Sequence, residues 1–416
     1  MREKDSLIRP QRATEGNSST GTPQLEVSLL TGGQDRHYAF GLAMALAAEG
    51  VCLDVIGSDL IDSSEMHGTP GLRFLNLHGS RQEATIALKI QRMIVSYARL
   101  IRYAWNAKPR ILHILWNNKL PFFDRTLLML YYKLLGKRIV LTAHNVNEGR
   151  RDAKDSMLNR LTLEFQYRLA DHVIAHTERM KNELLERFHV NKMAVTIIPY
   201  GINNAVPCTE LTTVQAKQRL GIRTDERTVL FFGAIKPYKG LEYLVAAFQQ
   251  LEGKQGNYRL IIAGERKKGS EEYWSEIQRR ISRGSSRERI LQKIGFIPDD
   301  EAELYFKAAD VAVLPYTEIF QSGVLFMAYS FGLPVIATDV GSFSEDIIEG
   351  STGYICKPRD SDDLAETIQY YFDSDLYREL GLRRREIRDY AFSTHSWGAV
   401  GELTRNIYRN MLNGSA

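Results

Sequence analysis

Cysteine is scarce: the 416 residues hold three, Cys52, Cys208 and Cys356, far apart along the chain. Three scattered thiols build neither a disulfide framework nor a metal cluster, and they suit a reducing compartment. Long apolar runs are missing as well. The longest, around residues 126–132, 311–314 and 332–337, fall well short of the ~20 residues that cross a bilayer. Residues 1–24 are polar and lack the apolar core of a secretory signal, which predicts a disordered arm and a cytoplasmic protein. With 12 prolines, 44% hydrophobic and 25% charged residues, the chain is neither collagenous, coiled-coil nor disordered as a whole.

A further shortage is local. Between Gly71 and Arg151 there are three acids, Glu83, Asp124 and Glu148, against 15 lysines and arginines. This window carries +12, so the rest of a chain of net charge +4 carries −8. Such asymmetry predicts an anionic partner for the first half: a phospholipid surface, a phosphate-bearing substrate or nucleic acid. Nucleic acid fits least, because no recognisable module or aromatic platform accompanies the charge.

What is present is an α/β alternation, twice over. Strand patterns at residues 25–30 and 51–56 flank a Thr31-Gly32-Gly33 loop and a helical period over 36–49, the opening of a parallel sheet. Residues 86–105 form an amphipathic helix with Ile90, Met93, Ile94, Tyr97, Leu100, Ile101 and Ala104 on one side and Lys89, Arg92, Arg99 and Arg102 on the other. It reads either as a core-facing helix with a solvated basic face or as a membrane-surface helix. Further strands are expected at 111–116, 138–143, 172–176 and 194–199, with helices at 157–169 and 178–188. Residues 200–227 are polar and mark a boundary, after which strands at 228–232, 258–263, 290–296, 311–314 and 334–337 alternate with helices. The expected division is an arm (1–24), a first α/β domain (25–205), a second (206–395) and a last amphipathic helix (396–416).

The second unit holds the strongest chemical signal. Leu230 to Gly240 is a strand, a Gly233 turn bearing Lys236 and Lys239, and a helix start. Pro315 to Val324 again runs from a strand into a helix, with Ser322 and Gly323 at its tip, and Gly332-Leu333-Pro334 closes that helix. A helix N-terminus offers free amides and positive partial charge, and lysines beside it suit phosphate. Two such tips in one domain favour a nucleoside diphosphate over a single phosphate.

In order and spacing these motifs resemble the retaining GT-B glycosyltransferases of the "group 1" family, which includes glycogen and sucrose synthases and many polysaccharide and glycolipid glycosyltransferases. The resemblance covers nearly the whole ordered chain. It implies two facing Rossmann-like domains, a cleft between them, and a final helix crossing back to the first domain. The family's glycine loop falls on Gly233, Ala234, Lys239 and Gly240. Lys239 would hold the donor diphosphate, and Lys236 would supply the charge of the family's arginine, here Ala234. The family's paired glutamates fall on Ile319 and Met327, with Glu318 one residue out of register. Gln321, Ser322, Gly323 and Val324, a signature like that of a family subgroup, would then make the diphosphate and sugar contacts beside Tyr316. Phe296 and Ile297 sit where the family cradles the base. In the first unit, Gly32 and Gly33 match the family's loop under the donor phosphates. His144, in Thr142-Ala143-His144-Asn145-Val146, matches the strand-end histidine near the transferred sugar, with Asn145 and Arg150 on the acceptor side. His113 and His176 read as structural.

The resemblance implies transfer of a hexose, with retention, from a nucleoside-diphosphate sugar to a glycan or lipid-linked acceptor, in polysaccharide or glycolipid biosynthesis. It calls for no cofactor beyond the nucleotide sugar and no metal; Asp360 and Asp362 read as a helix cap. A peripheral position on the cytoplasmic membrane face would explain the basic window. The alternative is a non-catalytic sugar-nucleotide-binding protein, which Ile319 and Met327 favour; an epimerase of the same fold is a further one.

Overall fold

The computed structural model describes residues 25–32, 36–79, 85–151, 155–202, 208–251 and 257–414. The expected arm, Gly33 and the expected boundary at 205 lie outside the described residues. Among the described residues, the first sheet has seven strands: β1 (Glu26–Leu30), β2 (Cys52–Gly57), β3 (Leu72–Asn76), β4 (Ile111–Ile114), β5 (Arg138–Thr142), β6 (His172–Ala175) and β7 (Val195–Ile197). Their order is β3-β2-β1-β4-β5-β6-β7, with parallel pairing throughout. The second sheet has six: β8 (Arg227–Phe232), β9 (Tyr258–Gly264), β10 (Ile290–Ile294), β11 (Val311–Leu314), β12 (Val335–Thr338) and β13 (Gly353–Cys356). Its order is β10-β9-β8-β11-β12-β13, also parallel. Parallel sheets are covered on both faces, so the central strands are continuous apolar runs; β4, β11 and β12 bury all their residues. These are the two Rossmann-like units that the sequence implies.

Nine helices matter for function: α1 (Arg36–Ala48), α2 (Ile86–Asn106), α3 (residues 121–134, with a π-helical turn at Asp124–Leu128), α4 (Met157–Leu169), α5 (Glu178–Phe188), α6 (Leu241–Gln250), α7 (Gly323–Ser330), α8 (Leu380–Thr394) and α9 (Trp397–Asn413). Side-chain caps start several of them: Thr85 for α2, Ser156 for α4, Thr177 for α5 and Ser396 for α9 each accept an amide of the first turn. Asp360 likewise accepts from the amides of Asp362 and Asp363, the capping role expected of it.

The core-facing reading of α2 is corrected by the structure. Only Leu100 and Ala104 of this helix are buried, and Ile90, Ile94 and Ile101 are exposed. Among the described residues, the helix packs on the domain mainly through Tyr97, Leu100, Tyr103 and Ala104, and most side chains of its first half are exposed.

The chain passes between domains at residues 200–202 and returns at 395–396. The two passages are hydrogen-bonded to each other: the Ile202 amide donates to the His395 carbonyl (2.9 Å) and His395 Nδ1 to the Tyr200 carbonyl (3.0 Å). After the return, α9 packs on α1 in the first domain. Trp397 lies over Gly41 and Gly201, where an added Cβ would come within 2.1 and 2.6 Å of the indole. Further along α9, Tyr408 Oη meets His113 Nδ1 at 2.5 Å, which accounts for His113 as a structural residue.

Candidate functional site

In open parallel sheets, ligands bind at the carboxyl ends of strands where the strand order reverses. Here these points lie between β1 and β4 and between β8 and β11. Gly32 follows β1; an added Cβ there would lie 2.5 Å from the Trp116 carbonyl and 2.8 Å from that of Asn117, so only glycine lets this loop close on the one after β4. His144 and Asn145 follow β5, the Gly233–Lys239 loop follows β8, Phe296 and Ile297 follow β10, and residues 315–322 follow β11. All the expected site residues that are described thus sit at the same end of their sheets.

The donor-side loops are clamped together. Gly240 is left-handed (φ 62°), and a Cβ on it would fall 1.9 Å from the Pro315 carbonyl oxygen. The Thr317 amide donates to the Tyr238 carbonyl at 2.9 Å. Lys239 is buried between these loops, its ammonium 3.7 Å from the Tyr316 ring centre and 5.5 Å from that of Tyr238. Lys236 is half-buried, 5.7 Å from the same Tyr238 ring. Gly233 sits against Val324, where a Cβ would touch its Cγ2 at 3.4 Å. The two loops and both ammonium groups therefore lie side by side. Ser322 stands at the start of α7 but makes no cap; its hydroxyl lies 3.5 Å from Tyr316 Oη, and no side chain caps the first amides of α7. Phe296 is exposed and Ile297 half-buried beyond β10.

The degraded glutamate pair has a physical account. Ile319 is buried, and Met327 packs on the same core cluster beside α7. Glu318 turns the other way and meets Arg150 of the first domain (Nη2 to Oε1, 3.3 Å), while Arg150 Nη1 donates to Glu183 (3.1 Å). Gln321 keeps its amide buried beside Asp346, whose carboxyl burial pushes up to about 7 and the Ser342 hydroxyl holds at 2.6 Å.

On the first-domain side, His144 is buried and stacked on Trp116 (ring centres 4.0 Å, 9°). Burial, with His176 and His113 nearby, holds its pKa well below the ordinary imidazole value. His176, also pushed down to about 4 by burial, has its Nδ1 2.9 Å from the Ile198 carbonyl, so Nδ1 carries the proton. Its Nε2 then accepts, and the 3.1 Å contact to His144 Nδ1 makes His144 the donor there. The chain of bonds leaves His144 Nε2 as a bare lone pair, buried and without a partner. Beside it is a cavity of about 90 Å³ lined by His144, Asn117, Asn118, Arg125, Asn145 and Gln166. Sequence reasoning missed Trp116, Arg125 and Gln166. Trp116 had a positional signal, since it follows the strand beside β1; the others come from distant elements and had none. His144 and Asn145 are thus together, Arg150 spans to the second domain, and Lys236, Lys239, Gly233, Tyr316 and Ser322–Val324 are grouped on the second domain.

The domains also touch at the helix α5 tip, where the Glu345 carboxylate accepts from the Glu178 and Arg179 amides (3.0 and 3.1 Å).

Residues 31–206 match the model of glycosyltransferase family 4, and residues 214–391 that of glycosyl transferases group 1. A D-inositol 3-phosphate glycosyltransferase of Corynebacterium aurimucosum is 24% identical over 286 residues, 66% of this chain and 66% of that protein. A glycogen synthase of Mycobacterium tuberculosis is 28% identical over 242 residues, 58% and 54% of the two chains. The chain thus spans two thirds or less of the length of these curated relatives. Among solved structures, sucrose-phosphate synthase of Thermosynechococcus elongatus superposes with a TM-score of 0.75 at 20% identity, over 94% of this chain and 100% of that one. Anabaena HepE in complex with UDP-glucose gives 0.71 at 16%, over 94% and 100%. These likenesses establish the GT-B fold.

Proposed function

The chain belongs to the glycosyltransferases, family 4 in its first half and group 1 in its second, and from that premise we propose that it moves a hexose from a nucleoside-diphosphate sugar to a glycan or lipid-linked acceptor with retention of configuration. The observation that carries this reading is the grouping on the second domain: the uncapped α7 tip, Gly233, Lys236 and Lys239 converge at the carboxyl ends of β8 and β11. Charge developing on a leaving diphosphate would meet that group, and preorganised donors of this kind often supply the largest share of rate enhancement. His144 Nε2, a neutral acceptor, would take a hydrogen bond from a hydroxyl of the transferred sugar. Asn117, Asn145 and Gln166 would hold acceptor hydroxyls in the adjoining cavity. With Ile319 in the core and Glu318 engaged by Arg150, no carboxylate of that loop stands ready as a nucleophile, which favours front-face attack with the leaving phosphate taking the acceptor proton. Phe296 would stack on the base.

The basic 71–151 window suits an anionic surface that presents a lipid-linked acceptor, and we place the protein on the cytoplasmic membrane face. A nucleotide sugar is then a co-substrate and no metal is invoked; nucleic acid is not a partner in this reading.

Titration with guanosine, uridine and adenosine diphosphates tests the assignment. One of them should raise the melting temperature, since a ligand that binds only the folded state stabilises it. Lys239→Met should weaken that nucleotide at least about tenfold, the size of one lost charge-assisted contact. An unchanged affinity in the variant would remove the donor site from these loops. Binding without any sugar transfer or hydrolysis would instead favour the non-catalytic reading, which the apolar Ile319 and Met327 motivate.

A further inference from the structure

Three neighbouring helices of the first domain carry apolar stripes on their outer sides. On α2 the stripe is Ile86, Ile90, Ile94 and Trp105, with Ile94 61% exposed. On α3 it is Phe122, Leu127, Leu130 and Leu134, with Leu127 63% and Leu134 77% exposed. On α4 it is Met157, Leu158, Leu161 and Phe165, with Met157 78% exposed. The helices are contiguous. Tyr131 Oη of α3 donates to the Ile101 carbonyl of α2 (3.1 Å), and Arg125 Nη1 of α3 donates to Asn159 Oδ1 of α4 (2.8 Å). Monomeric soluble proteins rarely leave apolar patches of this extent uncovered.

The exposed charge that α2 and α3 carry is of one sign. On α2 the basic residues are Lys89, Arg92, Arg99 and Arg102, Lys119 stands just before α3, Lys133 on α3 pairs with Asp171, and the single acid on the two helices is Asp124, whereas on α4 Arg160 and Arg168 each pair with an acid, Asp155 and Glu164. Asp124 is buried, held by the Tyr97 hydroxyl (3.1 Å) and the Asn118 amide (3.2 Å), so α2 and α3 present no exposed carboxylate. A second copy would set one cationic face against another. An anionic surface with an apolar interior matches both features.

We propose that the α2–α3–α4 face docks on an anionic phospholipid bilayer, its apolar stripes entering the interfacial layer and the cations flanking them on α2 and at Lys119 meeting headgroup phosphates. No described helix is long and apolar enough to cross a membrane, so the attachment is peripheral. This goes beyond the basic helix face considered from sequence, because the apolar edge of α2 faces out beside α3. It rests on the proposed function only in placing the acceptor at a membrane.

The full-length chain is floated with vesicles of phosphatidylcholine alone or with a third of phosphatidylglycerol, at low and high salt. Binding should appear with the anionic vesicles, weaken with salt, and fall at least tenfold in the triple variant Ile94→Glu, Leu127→Glu, Leu161→Glu. Lys119→Glu should lower the preference for anionic lipid without abolishing binding. The three replaced side chains are exposed, and circular dichroism and the nucleoside-diphosphate melting shift should match the parent. Wild-type protein that ignores anionic vesicles, or a triple variant that binds as well as the parent, overturns the proposal. A parent that elutes as a dimer and a variant that elutes as a monomer, with no vesicle binding in either, would assign the face to a second copy and overturn it too. Failure of the nucleotide shift in the parent would count against the donor site and leave this surface standing.

Discussion

Asp124 shows how far one side chain can depart from its composition-level reading. Counted in the sequence it softens a basic window; in the fold it is buried at the π-helical turn, and desolvation pushes its carboxyl up to about 6. Its folded value lies above its unfolded one. Between about pH 4 and 6 the native state therefore keeps a proton that the unfolded chain has lost, and stability from this group declines as pH rises through that window. Asp124→Asn removes the effect, so its stability relative to the parent should improve by about 2–3 kcal/mol from about pH 4 to about pH 7. Urea unfolding at the two pH values measures this; parallel profiles would show that Asp124 does not titrate there. His144 gives the opposite expectation. With its imidazole held neutral by burial, the rate against pH should show no inflection from it between about pH 5 and 8. An acid limb that vanishes in His144→Asn would show that it does titrate. His144 was legible in the sequence through the motif around it, whereas its bare Nε2 follows from His176 and Ile198, whose spacing in the sequence carries no such signal.

At the scale of elements, the long periodic helices and the buried strands were legible: α4 and α5 span the residues that the periodicity marks, and β11 spans its apolar run. Of the four edge strands, β7 and β10 were legible and two were not. β3 (Leu-Arg-Phe-Leu-Asn) and β13 (Gly-Tyr-Ile-Cys) are short and partly solvated, so neither hydrophobic run nor alternation distinguishes them. α8 was missed because only Ile387 and Ala391 of its fifteen residues are buried, too few for an apolar stripe. Loop Gly240 belongs to this scale, since it decides whether the turn before α6 can press on the turn after β11. Gly240→Ala meets both the left-handed penalty and the Pro315 carbonyl. It should cost about 2 kcal/mol or more in urea unfolding and weaken the nucleoside diphosphate together with Lys239→Met. Unchanged nucleotide affinity would show that the two loops need not be clamped.

The whole molecule depends on how two autonomous sheets are joined. Helix α9 returns to the first domain, and Trp397 occupies the space that Gly41 and Gly201 leave open beside Tyr38. Trp397→Ala should destabilise by about 3 kcal/mol, the lower end for such truncations because the indole is partly exposed. A loss under about 1 kcal/mol would mean that this packing contributes little. The sequence by itself determined the two α/β units, their strand–loop–helix tips and the lysines beside them, because hydrophobic period and glycine placement act over a few residues. Only the tertiary structure decided that Ile319 and Met327 face a core, that Glu318 pairs with Arg150, and that the apolar edges of α2, α3 and α4 lie outward side by side. Those outcomes depend on which surfaces meet after some hundreds of residues of chain have folded, and no local pattern encodes a surface that is left over when packing is complete.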